Sequence, residues 1–197
     1  MSAVKIGDEL PVNEKKLDDG TNDESCSPMR QYSSVQTLIN NIPYITMTVL
    51  GTAIFAVSFG GSAWGPATAA AYLAYGAGGA LWIMVFVCPY CRYWNSSSCP
   101  CGYGLIAAKF REKSSVECFD EKFRKHIPVI VPLWFLPVLA GLPSIIRVFS
   151  WPLLVLLVLF AVDAFIILPL VSTKHGCKEC PQKNSCPWIA IKSKIAS

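Results

Sequence analysis

Apolar and polar residues fall into long, separate blocks along this chain. Residues 1–41 are polar, and from Ile42 to Tyr90 there is no Asp, Glu, Lys or Arg. A second apolar block runs from Ile127 to Val171, interrupted by Gly141-Leu142-Pro143-Ser144, by Arg147 and by Ser150-Trp151-Pro152. About 20 apolar residues in a helix cross the hydrocarbon of a bilayer, so each block is long enough for two crossings. In the first block, the turn-forming run Gly60-Gly61-Ser62-Ala63-Trp64-Gly65-Pro66 marks the break. The pattern predicts helices near residues 42–62, 67–88, 127–145 and 149–171. The first run is not expected to be a cleavable signal core, because it exceeds the about 7–15 residues of such a core.

The expected fold class is therefore an all-α integral membrane protein: a four-helix transmembrane bundle with a small cytoplasmic cysteine-rich cap. The expected organisation is a polar, disordered tail over 1–41, helices 1 and 2 within 42–90, and a cysteine-rich loop over 91–126. Helices 3 and 4 follow within 127–171, and a cysteine-rich tail over 172–197. Composition agrees. The chain is 53% hydrophobic and 15% charged, whereas soluble domains are about 25% charged. A soluble protein with a buried helical hairpin is excluded, since too little polar chain remains to cover four such segments.

Charge sets the expected orientation. Sixteen of the 17 basic residues lie in the N-terminal tail, the 91–126 loop and the C-terminal tail, and Arg147 alone lies in an opposite turn. Positive charge stays in the cytoplasm, so both termini and the central loop are placed there. Acidic residues outnumber basic ones in the N-terminal tail, which makes it the weakest of the three indications.

Nine cysteines change the picture. Eight follow the second and fourth apolar segments. One group reads Cys88-Pro89-Tyr90-Cys91, then Cys99-Pro100-Cys101; the other reads His175-Gly176-Cys177-Lys178-Glu179-Cys180, then Cys186-Pro187. Thiols this dense are metal ligands, cluster ligands, disulfides or redox catalysts. On the cytoplasmic side thiolates survive and disulfides are uncommon. Cys88/Cys91 and Cys99/Cys101 offer two halves of a four-thiolate site, which holds either zinc or an iron–sulfur cluster. The tail offers Cys177, Cys180 and Cys186, with either Cys118 or His175 as a fourth ligand. In an antiparallel bundle both groups emerge at the same end, so one joint cap is expected. Cys-Pro steps suit ferredoxin-type ligation, although the full ferredoxin spacing is absent. The competing readings are thiol redox chemistry, a zinc-stabilised membrane scaffold or transport accessory protein, and unligated or palmitoylated juxtamembrane cysteines. Cys26, alone in the polar tail, is expected to be an unligated thiol.

Over one tetrapeptide and the helix count, Cys88-Pro89-Tyr90-Cys91 resembles the vitamin K epoxide reductase group of disulfide-forming enzymes. That resemblance implies a thiol–disulfide oxidoreductase with Cys88 and Cys91 as the redox pair. The charge distribution instead puts these thiols on the cytoplasmic side.

Other features narrow the reading. His126 and His175 sit at predicted borders, which argues against a bis-histidine haem between helices. No Walker, Rossmann or HExxH pattern occurs. Asp163 is the one acidic residue within a predicted span, and intramembrane carboxyls are costly. It is either a proton or cation relay or a contact to a quinone-like ligand, or else a protonated acid hydrogen-bonded to Thr46, Thr48 or Ser58. Gly51, Gly60, Gly61, Gly76, Gly78 and Gly79 allow close helix approach. Pro128, Pro132, Pro137 and Pro143 predict a kinked or broken third helix. Between Leu105 and His126, Phe110, Val116, Phe119 and Phe123 share one helical face among charges, which suits a helix lying on the membrane surface. Anchoring at an anionic surface accounts for the basic residues, so the expected partners are the lipid bilayer and other subunits of a membrane redox complex, with no nucleic acid.

Overall fold

The computed structural model describes residues 30–177 and Cys180, with the backbone alone for residues 175–177. Helix α1 spans Ser34–Ser58 and α2 spans Trp64–Phe86. The short α3, Tyr103–Ala107, and α4, Phe119–His126, lie in the connection that follows. Helix α5, Pro132–Arg147, and α6, Trp151–Val162, complete the long elements. The last rod continues through a π turn, Asp163–Ile167, then α7, Leu168–Val171, and a second π turn, Ser172–Cys177. Among the described residues there is no strand.

Four helical stretches are long and apolar enough to cross a membrane: Ser34–Ser58, Trp64–Tyr90, Val116–Arg147 and Trp151–Lys174. Their outer faces are apolar and bare, with Leu139 66% and Ile146 83% exposed. Such a surface is stable against lipid and not against water. Helix α1 packs against α2, α5 and α6. Met47, Ile54, Tyr72, Leu133, Leu153, Leu157 and Phe160 form the core between them. Gly51 and Gly76 let α1 and α2 approach closely. A Cβ at Gly51 would run into the Tyr72 ring, and one at Gly76 would stand 2.7 Å from Thr48 Cγ2.

Prolines free backbone carbonyls inside an apolar bundle, where each unpaired group costs several kcal/mol. Interior aromatic donors take up that slack. Pro137 has no N–H to give to Leu133, four residues earlier, and the Leu133 carbonyl accepts the Tyr72 hydroxyl instead at 2.8 Å. Pro132 likewise cannot donate, the Leu133 N–H goes to Ile130, and the Val129 carbonyl accepts from Tyr75. In the π turn Leu168 N–H reaches back to Asp163, and the Ala164 carbonyl accepts the Trp134 indole N–H at 3.2 Å. The third span is thus broken near Pro128, as its prolines predicted, while Pro137 and Pro143 are accommodated inside α5.

Two expectations differ from the structure. Helix α1 starts at Ser34 and not near 42. Ser33 caps it in a reciprocal box with Gln36, Ser33 Oγ accepting the Gln36 N–H at 3.3 Å and Gln36 Oε1 accepting the Ser33 N–H at 3.1 Å. The stretch from Leu105 to His126 is not one amphipathic helix. After α3 the chain extends, Ser114 N–H donates to Pro89 O at 2.9 Å, and only α4 resumes. Within α4, Asp120 pairs with Arg124 at 3.1 Å, and the Phe119 and Phe123 rings lie 5.6 Å apart. Helix α4 is held to the end of α2 by His126, whose Nδ1 accepts the Trp82 indole N–H at 3.2 Å while its ring stacks on Phe86 at 5.1 Å.

Candidate functional site

The first cysteine group forms where α2 runs out. A single-turn 3₁₀ helix, Cys88–Tyr90, follows α2, and Cys91 N–H closes it onto Cys88 O at 3.1 Å. A chain of tight turns brings the backbone round again: Trp94 N–H to Cys91 O, Cys99 N–H to Ser96 O and Gly102 N–H to Cys99 O, at 3.0–3.2 Å. Two left-handed residues permit this path, Asn95 at φ 52° and Gly102 at φ 71°. Asn95 N–H donates to Gly104 O at 3.1 Å and sews the loop shut.

The result gathers the thiols that the spacing had grouped. Cys88 lies within electrostatic reach of Cys99, Cys91 and Cys101. Cys99 Sγ accepts the Gly104 N–H at 3.4 Å, the kind of backbone donor that orients a thiolate ligand. Burial pushes the Cys101 thiol up to about 12, with neighbouring Cys99 adding to the effect. Burial also raises the Tyr103 phenol, Cys101 being the largest charge-type contributor. Tyr93 is 9% exposed; burial raises its phenol, and Cys180, Tyr32, Cys91 and Cys99 act on it in turn. Cys180, from the tail, therefore lies near the loop group across Tyr93. Cys118 ends the 3₁₀ turn Val116–Cys118, which packs against the Cys88–Tyr90 turn. The side chains of His175 and Cys177, together with Cys186 and Cys26, lie outside the described residues.

Among the described residues, no three His, Cys, Asp or Glu side chains stand in an arrangement that could hold a metal ion. The thiols are neighbours without being a preformed ligand cage.

The supports of this loop include residues that sequence reasoning assigned to a disordered tail. Asn40 donates to Pro100 O at 2.9 Å, and Asn41 donates to Cys101 O at 3.0 Å. Tyr32 N–H donates to Ser97 O at 3.0 Å, and a Cβ at Gly102 would stand 2.8 Å from Thr37 Cγ2. The first turns of α1 are thus a strut for the Cys-Pro-Cys loop. The sequence signal was a pair of asparagines immediately before Ile42, a few residues after a capping box.

Asp163 is buried at 5% exposure, at the start of the π turn that packs on α1. The expected hydrogen bond to Thr46, Thr48 or Ser58 is not made by its Oδ2, which has no partner, and Ser58 Oγ has none either. Thr48 Oγ1 donates instead to Tyr44 O at 2.9 Å.

No family model, curated protein or solved structure matches the chain, so the chemistry of the site rests on its residues.

Proposed function

We propose that this chain is an integral membrane protein that ligates a metal through the cysteines at the Cys88 end of its bundle. The ligand set suits an iron–sulfur cluster or a zinc ion. With a cluster, the role is electron transfer at the membrane as a subunit of a larger redox complex. The distribution of basic residues supports placing this end, and both termini, in the cytoplasm.

One observation carries the reading. Thiols from three separate segments, Cys88 with Cys91, Cys99 with Cys101, and Cys180, converge at one end of the bundle. A dithiol redox reaction needs two nearby thiols, one of them with a lowered pKa. Cys101, which lies outside the Cys88/Cys91 pair, is held toward the neutral thiol by burial. A metal displaces that proton and gains a strongly basic donor, so ligation and folding become coupled. Ligation draws the sulfurs to about 2.3 Å from zinc, which requires the turns to close further around the ion.

The test is a set of single substitutions, Cys88→Ser, Cys91→Ser, Cys99→Ser, Cys101→Ser and Cys180→Ser, purified without oxygen. Shared ligation predicts comparable loss of bound metal and of thermal stability at the four loop positions. The alternative, a thiol–disulfide oxidoreductase, predicts that Cys88→Ser and Cys91→Ser abolish disulfide exchange with the fold intact while Cys99→Ser has little effect.

A further inference from the structure

The bundle interior holds a carboxyl that the fold does not use. Asp163 is the only charged-type residue among the buried described positions, and its Oδ2 has no hydrogen-bond partner. Six interior donors are committed elsewhere, and Ser58 Oγ, itself buried, is not bonded to it either. Tyr44 donates to Gly76 O, Tyr72 to Leu133 O, Tyr75 to Val129 O and Trp134 to Ala164 O. Thr48 and Thr52 bond back to their own helix. Acids kept in membranes for structure are held by partners of this kind; this one is not.

An anion at this position would also lack a counter-ion. Helix α5 touches the π turn through Trp134 and Phe135; α1, α6 and α7 pack on it more extensively, and none of these three carries Lys, Arg or His. Tyr44 is their only other titratable side chain. Arg147, on α5, closes that helix at the opposite end from Trp134. Among the described residues, no cationic side chain on these elements near the π turn compensates a negative charge, and a proton is the smallest ligand that does.

We propose that Asp163 is a proton-binding site in the membrane interior, neutral in the packed state and exchanging its proton with water. The step moves one proton and no electrons. The carboxylate oxygen forms an O–H bond with a proton delivered through water, and the same bond breaks when the proton returns to water. The π turn is the hinge for access, because removing its extra residue turns the adjoining helix by about 100°. This assignment is independent of metal ligation.

Infrared spectroscopy of the full chain in lipid nanodiscs tests it, with transfer from H2O to D2O. The expected result is a protonated-carboxyl C=O band above the amide I envelope, lost in Asp163→Asn. In D2O that band moves to lower frequency while the amides of the four long helices are still protonated. Asp163→Glu keeps an exchangeable band at a displaced frequency, which assigns the signal if Asp163→Asn does not fold. Absence of any band sensitive to Asp163→Asn or Asp163→Glu means a permanently ionised or paired group and overturns the proposal. A band that moves only together with the core amides means a sealed structural acid and overturns it equally.

Discussion

The hydrogen bonds from α1 to the Cys-Pro-Cys loop make a prediction that does not depend on which metal binds. In the double variant Asn40→Ala/Asn41→Ala, the bonds to Pro100 O at 2.9 Å and Cys101 O at 3.0 Å are removed. Each such bond is worth about 1 kcal/mol net, so docking of the loop weakens by about 2 kcal/mol. At about 1.4 kcal/mol per tenfold, the loop opens about 30-fold more often. Alanine returns a few tenths of a kcal/mol of helix propensity to α1, which acts on the helix and not on the docking. The assay is pulsed alkylation of metal-free protein, followed by digestion and mass spectrometry. Cleavage after Arg92 and Lys109 isolates Cys99 and Cys101 on one peptide, and cleavage after Lys113 and Lys122 isolates Cys118 on another. The first peptide should alkylate about 30-fold faster in the variant, with the Cys118 peptide unchanged. An unchanged rate for the Cys99/Cys101 peptide in a folded variant would refute the strut. An equal rise at Cys118 would show general loosening and refute it as well.

Three further outcomes are expected. Tyr72→Phe leaves the Leu133 carbonyl opposite Pro137 without a donor, and should lower bundle stability by about 0.6–1.7 kcal/mol in detergent unfolding. Because burial holds Cys101 neutral up to about 12, the folded state keeps a proton that the unfolded chain releases above the ordinary thiol range of about 8.5. Metal-free protein should therefore lose stability as pH rises through that window, less steeply in Cys101→Ala, whereas metal loading should strengthen with rising pH because each ligating thiol gives up a proton. For orientation, cysteines introduced in Ser62→Cys and Ser197→Cys in a cysteine-free background should differ toward an impermeant maleimide. Position 62 should label in intact cells and position 197 should not; the reverse pattern would overturn the proposed topology.

The four long apolar helices were legible because the apolar runs are long enough for two helices each, and because Gly60 to Pro66 and Ser150 to Pro152 mark their turns. The grouping of Cys88, Cys91, Cys99 and Cys101 was legible because the spacing confines them to one short loop. The start of α1 was not. Asn40 and Asn41 read as tail residues in a hydropathy pattern, and their partners, Pro100 O and Cys101 O, are 60 positions away. The accommodation of Pro137 was hidden for the same reason, since the donor that replaces its missing N–H is Tyr72, on a different helix. The amphipathic pattern between Leu105 and His126 misled because its period continues across residues that tertiary contact pulls out straight, with Ser114 bound to Pro89. The bond expected for Asp163 rested on depth alone, and depth does not reveal that Thr48 already donates to its own helix.

The central claim is that the thiols around Cys88 bind metal, and purification without oxygen followed by elemental analysis and a visible spectrum tests it directly. The account predicts iron or zinc in stoichiometric amount per chain, with brown absorbance in the iron case, lost in the combined variant Cys88→Ser/Cys91→Ser/Cys99→Ser/Cys101→Ser. A colourless wild-type protein with no more iron or zinc than that variant would contradict it.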